Sequence, residues 1–284
     1  MSPTRRREAV VRVQERLDLS ERRACRAVGQ HRSTQRHTPH LRDADEPLRK
    51  RLREVSREDP RFGYRRAWAI VRDEGFIANR KRVQRLWCEE GLRVPPQKVK
   101  RRRLGFSTVP AERLAATHRN HVWALDFLFD TTSDGRLLKA LSMCDEHTRE
   151  SVGGHVARSI TADDVATMLD RAAAQRGYPE FLRCDNGPEF IAAAIRDWCR
   201  FAGVGTSFIE PGSPWQNPYV ESFNARARDE LFSREIFDTV HEARVLYRDW
   251  RHRYNHHHPH SALGWMTPAA FAAAYMAKVP LVTP

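Results

Sequence analysis

Asp126 stands in the middle of an apolar run, Trp123-Ala124-Leu125-Asp126-Phe127, where an ionised group is costly unless it is paired or bound to a metal. Asp185, in Arg183-Cys184-Asp185-Asn186-Gly187, follows the end of a second apolar stretch, the place where open α/β sheets put their ligands. Taken by itself, an Asp-Asn-Gly run serves equally well as a plain turn. Glu221 comes after 35 intervening residues, where a loop beginning Ser213-Pro214-Trp215-Gln216 passes into a helix. Asn217 lies four residues before it and Asn224 three after it, so one helix face can carry all three side chains. Three gathered carboxylates offer about six hard oxygens, a donor set suited to magnesium or manganese. Two such ions about 3.5 to 4 Å apart can activate a water or a 3′-hydroxyl and stabilise the leaving oxygen of an in-line phosphoryl displacement.

The elements that must hold these residues can be read from hydrophobic periodicity. Val122–Phe129, Leu137–Cys144 and Ser151–Ala157 are apolar runs joined by short turns, which predicts three antiparallel strands. Ala162–Arg176 places Val165, Met168, Leu169 and Ala172 on one helical face. A strand at Phe181–Cys184, a helix at Pro188–Phe201, a strand at Thr206–Ile209 and a helix at Pro218–Phe232 follow, with a terminal helix at Val240–Tyr254 and a tail. The order β-β-β-α-β-α-β-α predicts a mixed five-stranded sheet with helices on both faces. Trp198, Phe201 and Trp250, at helical spacing among apolar neighbours, are expected in its core.

Charge divides the chain differently. Lysine and arginine total 49 against 36 acidic residues, a net charge of +13, yet residues 1–110 hold 30 basic and 14 acidic side chains while the remainder holds 19 and 22. A polyanionic partner for the first part follows. Within residues 1–44 a helix over Glu8–Leu17, a second opened by Ser20 as N-cap and closed at Gly29, and a basic third segment with Arg32 and Arg36 outline a helix-turn-helix. A basic three-helix piece that merely packs on its neighbour would look the same. Residues 45–92 form a second helical module, with helices near Glu46–Glu54, Tyr64–Glu74 and Asn79–Glu90, in which Arg65, Arg66, Arg80, Lys81 and Arg82 are candidate DNA contacts. Residues 93–117 read as a basic linker, its Arg101, Arg102 and Arg103 suited to tracking a phosphate backbone.

Five dispersed cysteines without a Cys-x-x-Cys pair argue against a disulfide framework or a thiolate zinc site and fit a reducing cytoplasm. His256, His257, His258 and His260 lack a cysteine or second histidine cluster to complete a zinc site. No signal peptide or membrane-length apolar stretch is present in the sequence.

Trp-x-x-Asp at 123–126, Asp-Asn-Gly-x-Glu-Phe at 185–190, Ser-Pro-x-x-Asn-x-x-x-Glu-Ser-Phe-Asn at 213–224, Arg-Ala-Arg-Asp-Glu at 226–230 and Tyr-Asn-x-x-x-Pro-His-Ser-Ala-Leu-Gly-x-x-Thr-Pro at 254–268 occur in that order. Together they resemble the core of DDE insertion-sequence transposases, most closely the OrfB-type proteins of the IS-three family, relatives of retroviral integrases. Phe-Gly-Tyr-Arg-Arg at 62–66 resembles the module preceding that core, so the likeness spans nearly the whole chain.

The resemblance implies an RNase H-like core over 118–232, closed by a C-terminal helix and tail over 233–284. It implies that Asp126, Asp185 and Glu221 bind two Mg2+ ions, for which Mn2+ can substitute. The implied activity is nicking of element ends in double-stranded DNA and joining of the freed 3′-hydroxyl to another phosphodiester. Asn217, Arg226 and Arg228 are implied DNA contacts, although the two arginines could equally form a solvated face paired with Asp229 and Glu230. Synapsis of two ends implies at least a homodimer, an upstream-frame partner or fusion is possible in such a family, and the implied location is the bacterial cytoplasm at the nucleoid.

The sequence departs from the family pattern at Leu128, where threonine is common, and at His258, where arginine is usual. The first is expected to alter packing. The second exchanges a permanent charge for a titratable one and could weaken a DNA or structural contact. Glu189 and Asp145 fit turn or salt-bridge roles better than that of a fourth ligand, and Trp215 could stack on an unpaired base or simply pack. Two other readings share these residues: a DNA-binding regulator with a silent core, and an RNase H-like nuclease that hydrolyses without joining.

Overall fold

The computed structural model describes residues 3–36, 45–92, 94, 114–185, 187–208 and 217–277. Arg101, Arg102, Arg103, Asn186, Ile209 and Trp215 lie outside the described residues. Two compact units are formed, Met1–Leu48 and Arg49–Pro284.

The first unit contains α1 (Pro3–Leu17), α2 (Glu21–Val28) and α3 (Arg32–Arg36) around a small core of Val10, Ala24 and Cys25. Gly29 closes α2 at φ 67°, a left-handed cap that glycine adopts without a Cβ clash. Ser20 has the extended backbone of an N-cap, but its side chain makes no capping hydrogen bond.

In the second unit α4 (Glu46–Glu58), α5 (Tyr64–Asp73) and α6 (Arg80–Glu89) enclose Leu52, Val55, Val71, Val83 and Leu86. Buried Arg49 and half-buried Arg53 reach Glu90, and Arg49 also pairs with Glu89. These pairs join the start of the module to its last helix.

The sheet that follows has β1 (Val122–Thr131), β2 (Leu137–Asp145), β3 (Ser151–Ala157), β4 (Phe181–Cys184) and β5 (Gly205–Phe208), in the order β3-β2-β1-β4-β5. β1, β2 and β3 are antiparallel, whereas β4 and β5 run parallel to β1. Alternation along β1 sends Trp123 and Leu125 toward α7 (Ala162–Arg176) and α9 (Ala193–Ala202). The intervening Ala124 and Leu128 pack toward α10 (Pro218–Ala227) and α11 (Val240–His257). Asp126 therefore belongs to the face that α10 covers. Leu128 is buried in the same layer, the packing role its replacement of a threonine suggests.

Two helices expected to be continuous are interrupted. The stretch after β4 splits into α8 (Pro188–Ile191) and α9 because Ala192 is extended. At 100° per residue an unbroken helix could not aim both Phe190 and the Ile195, Trp198, Cys199 face into one core, and the break resets the phase. Phe201 falls outside that face and is 83% exposed, so its expected core role is corrected, while Trp198 and Trp250 are buried. After α10 the chain widens into a π-helical turn, Arg228–Phe232, which buries Leu231 and Phe232. α11 runs to His257, and an unforeseen α12 (Pro268–Met276) packs against it.

Candidate active site

The register Ala124↔Arg183 joins β1 to β4 in parallel, and two residues further along each chain stand Asp126 and Asp185. Both carboxylates thus leave neighbouring strands at the same level, at the C-terminal end of β4. A side chain at Gly187 would bring its Cβ within 2.9 Å of Asp185 Oδ1, the atom to which the Gly187 N–H donates at 3.0 Å. That close approach gives the glycine of the Asp-Asn-Gly run a purpose beyond turning the chain. Next along this loop, Phe190 stacks on Phe127 at 4.8 Å and Glu189 pairs with buried Lys139 of β2. Glu189 is therefore a salt-bridge residue.

Asp126 is half-buried. Its Oδ1 accepts from the Phe127 N–H at 2.8 Å and its Oδ2 from Asn224 Nδ2 at 2.9 Å. Asn224 is itself fixed: its Oδ1 accepts from Ser142 Oγ at 2.5 Å, and that hydroxyl also meets the Tyr247 hydroxyl at 2.8 Å. Ser142 is the register partner of Asp126 across β1 and β2. The helical spacing of Asn217 and Asn224 pointed to a shared side of α10; the unseen members were Ser142 and Tyr247, which carry no motif.

Burial pushes the Asp126 carboxyl up to about 6 against the pull of its two hydrogen bonds, and the negative charges of Asp185 and Glu221 push it the same way. No lysine, arginine or histidine pairs with it among the described residues. An oxygen-only anionic donor set of this kind suits a hard divalent ion. Asp185 and Glu221 are each within electrostatic reach of Asp126, although among the described residues no three acidic, histidine or cysteine side chains lie close enough to form one ligating group.

Asn217, expected among the DNA contacts, is corrected to an internal tie. It is 4% exposed and donates from Nδ2 to the Leu125 carbonyl at 3.3 Å, fastening the start of α10 to β1 one residue before Asp126. The other expected contacts separate into groups. Arg65, Arg66 and Arg226 line a common cleft beside α10. Arg80 and Lys81 are exposed and Arg82 half-buried at the start of α6, Arg80 lying 5.4 Å from the Trp68 ring. Arg228 is exposed, its Nη2 3.4 Å from the Phe129 carbonyl. Arg32 and Arg36 both pair with Glu21 in the first unit.

Asp229 and Glu230 pair with the helical module rather than with Arg226 and Arg228. Arg61 pairs with Asp229, and Arg66 reaches Glu230 at 3.5 Å. His258 is buried, with Nε2 3.0 Å from Glu230 Oε1 and its ring 4.9 Å from that of Phe62. The substitution at this position therefore bears on a structural contact. Asp145 is fully buried and accepts from the backbone N–H groups of Asn120, His147 and Thr148, a turn role. Below Asp185, buried Arg183 binds both oxygens of buried Glu146 at 2.6 and 2.7 Å.

Integrase core domain family models match residues 116–214 and 202–268, and an HTH-like domain model matches 42–102. The protein of insertion element IS476 from Xanthomonas euvesicatoria is 41% identical over 275 residues, covering 97% of this chain and 79% of the relative. The protein of IS407 from Burkholderia multivorans is 42% identical over 266 residues, 93% of this chain and 95% of the relative. Transposase InsD of IS2 from Escherichia coli is 31% identical over 259 residues, 83% of this chain and 81% of the relative. Among solved structures, a chain of the simian T-cell lymphotropic virus intasome matches with a TM-score of 0.51 at 14% identity, over 82% of this chain and 76% of its own length, a likeness of fold.

Proposed function

This chain belongs to the insertion-sequence transposases that carry an integrase core, and from that premise we propose that it cuts the ends of its element and joins the freed 3′-hydroxyl to a second phosphodiester. The observation that carries this reading is Asp126, a part-buried carboxylate with no cation paired to it among the described residues and with the charges of Asp185 and Glu221 nearby. Asp126, Asp185 and Glu221 would hold two divalent ions, Mg2+ or Mn2+, which when bound supply Lewis-acid stabilisation of attacking and leaving oxygens.

The chain's own residues supply position. Asn224 and the Phe127 N–H fix the two oxygens of Asp126, leaving their remaining lone pairs for a ligand. The Gly187 N–H holds one oxygen of Asp185. Arginines along α5 and α10 meet the phosphates of the strand to be cut. In the first step water adds to phosphorus and the 3′-oxygen leaves with a proton, giving a 3′-hydroxyl and a 5′-phosphate. In the second that hydroxyl attacks another phosphodiester and displaces its 3′-oxygen, so the number of phosphodiester bonds is conserved and no covalent protein intermediate forms. Bringing two ends together calls for at least two copies, and the substrate places the work at the bacterial nucleoid.

The test is strand transfer on labelled duplexes bearing the element's ends, with magnesium, manganese or EDTA, beside Glu221→Gln. Metal-dependent nicking and joining that vanish in the variant support the reading. Cutting without joining would make the chain a nuclease; shifted but uncut DNA, also after fusion to an upstream frame, would make it a regulator.

A further inference from the structure

Beside α10 the second unit opens a cleft of about 660 Å3 whose described wall carries Arg61, Arg65, Arg66, Arg149 and Arg226 and no carboxylate. Asp229 and Glu230 pair with Arg61 and Arg66. Neither Arg65 nor Arg226 has a carboxylate partner among the described residues. Arg149 goes further: its Nη1 is buried without a hydrogen-bond partner among the described residues, as is Nε2 of His260 on the same wall. Buried polar groups are seldom left unpaired, because each costs roughly 1–3 kcal/mol, and the Arg149 Nη1 can only donate. Its position in an arginine-lined cleft marks a place for anionic oxygens.

Aromatic rings share this wall. The Arg149 guanidinium lies 3.4 Å from the centroid of Tyr219, and Tyr64 and Trp265 also line the cleft. Arg149 and Trp265 hold φ of 63° and 70°, left-handed values that side chains other than glycine rarely take. Strain of this kind concentrates where a ligand is clamped. Arginines interleaved with aromatic faces are what an unpaired nucleic-acid strand requires, phosphates meeting the cations and bases stacking on the rings. A duplex keeps its base faces stacked inside, and a cleft of this volume has the size of a small-ligand site.

Helix geometry ties the cleft to the carboxylates. At 100° per residue, Ser222 and Arg226, which line the cleft, lie on one side of Glu221, while Asn217 and Asn224, which reach β1, lie on the other. Glu221 stands on the ridge between them. We propose that this cleft takes unpaired nucleotides of a DNA strand and leads that strand over Glu221 to Asp126. The proposal rests on the transposase reading for its purpose, though binding tests it independently.

The experiment compares the full chain, in EDTA, on a blunt duplex and on the same duplex with a short unpaired tail carrying 2-aminopurine, followed by anisotropy and by fluorescence of the analogue. The tailed duplex should bind roughly tenfold tighter, with the analogue quenched as it stacks. Arg65→Gln/Arg226→Gln should bring the two affinities close to parity, and Tyr219→Leu should abolish much of the quenching. Arg80→Gln/Lys81→Gln, outside the cleft, should weaken both duplexes alike. Equal binding of the two duplexes by the parent chain, or a tail preference that survives both cleft variants, would overturn the proposal. A chain that keeps the tail preference but never cuts refutes the transposition reading and leaves the cleft standing; one that cuts and joins without the preference does the reverse.

Discussion

Asp126 carries a tension that a stability measurement can read. Its carboxyl titrates near 6 in the folded chain, above the ordinary 3.8, so the ionised form is disfavoured by folding. Below about pH 4 the group is protonated in both states and costs nothing; as pH rises toward 6 the folded state loses stability, and the loss is complete above that. Asp126→Asn removes the charge, so in EDTA it should melt higher than the parent at pH 8, by on the order of 1–2 kcal/mol, and equal to it near pH 4. An unchanged difference across that range would show the carboxylate to be well solvated. Asn224 is a positioning residue for the same group. Asn224→Ala should cost about 1–2 kcal/mol by leaving the Ser142 and Tyr247 hydroxyls short of a partner, and should lower DNA cleavage more than DNA binding. Gly187→Ala should displace the Asp185 carboxylate and reduce cleavage while the melting temperature stays within a few degrees.

At the scale of elements, β4 is short and ends at Cys184, one residue before Asp185, so whatever holds β4 holds the site. Arg183 on that strand is 2% exposed and Glu146 is 1% exposed, and each neutralises the other in a setting where a lone charge is severely penalised. Glu146→Gln leaves the guanidinium without its counter-charge and should destabilise by about 3–5 kcal/mol in chemical denaturation. A loss under about 1 kcal/mol would mean that water or the Leu114 carbonyl, 2.6 Å from Arg183 Nη2, suffices. Strands β1 to β3 and the amphipathic α7 were readable because their apolar periodicity is long and α7 opens with a Thr161–Asp164 capping box. The break at Ala192 and the π turn after Ala227 were not, since no glycine or proline marks either one. Each is set by which side chains the core accepts from both sides of the interruption.

The whole molecule joins the helical module to the catalytic sheet more closely than a linear reading suggests. Asp59, Arg61, Phe62 and Arg66 from the module meet Arg253, Asp229, His258 and Glu230 from the sheet's covering helices. The first unit has a separate core. A chain lacking residues 1–44, which leaves α4 whole, should therefore keep its melting temperature within a few degrees, measured by calorimetry beside the full chain. Its DNA affinity should show a shallower dependence on log salt, because the removed segment carries arginines that release counterions from phosphate. A large drop in melting temperature would mean that the second unit leans on the first.

The sequence by itself singled out Asp126, Asp185 and Glu221 as candidates and determined the succession of strands and helices and the basic character of the first part, because chemistry at fixed spacing and hydrophobic period are local properties of a chain. Only the tertiary structure decided that Lys139 meets Glu189 and Arg183 meets Glu146, that Asn217 is an internal tie while Asn224 steadies Asp126, and that Arg65, Arg149 and Arg226 share one cleft. Those outcomes depend on which distant segments fold back on one another, and burial assigns partners to polar groups only once the surrounding walls are in place.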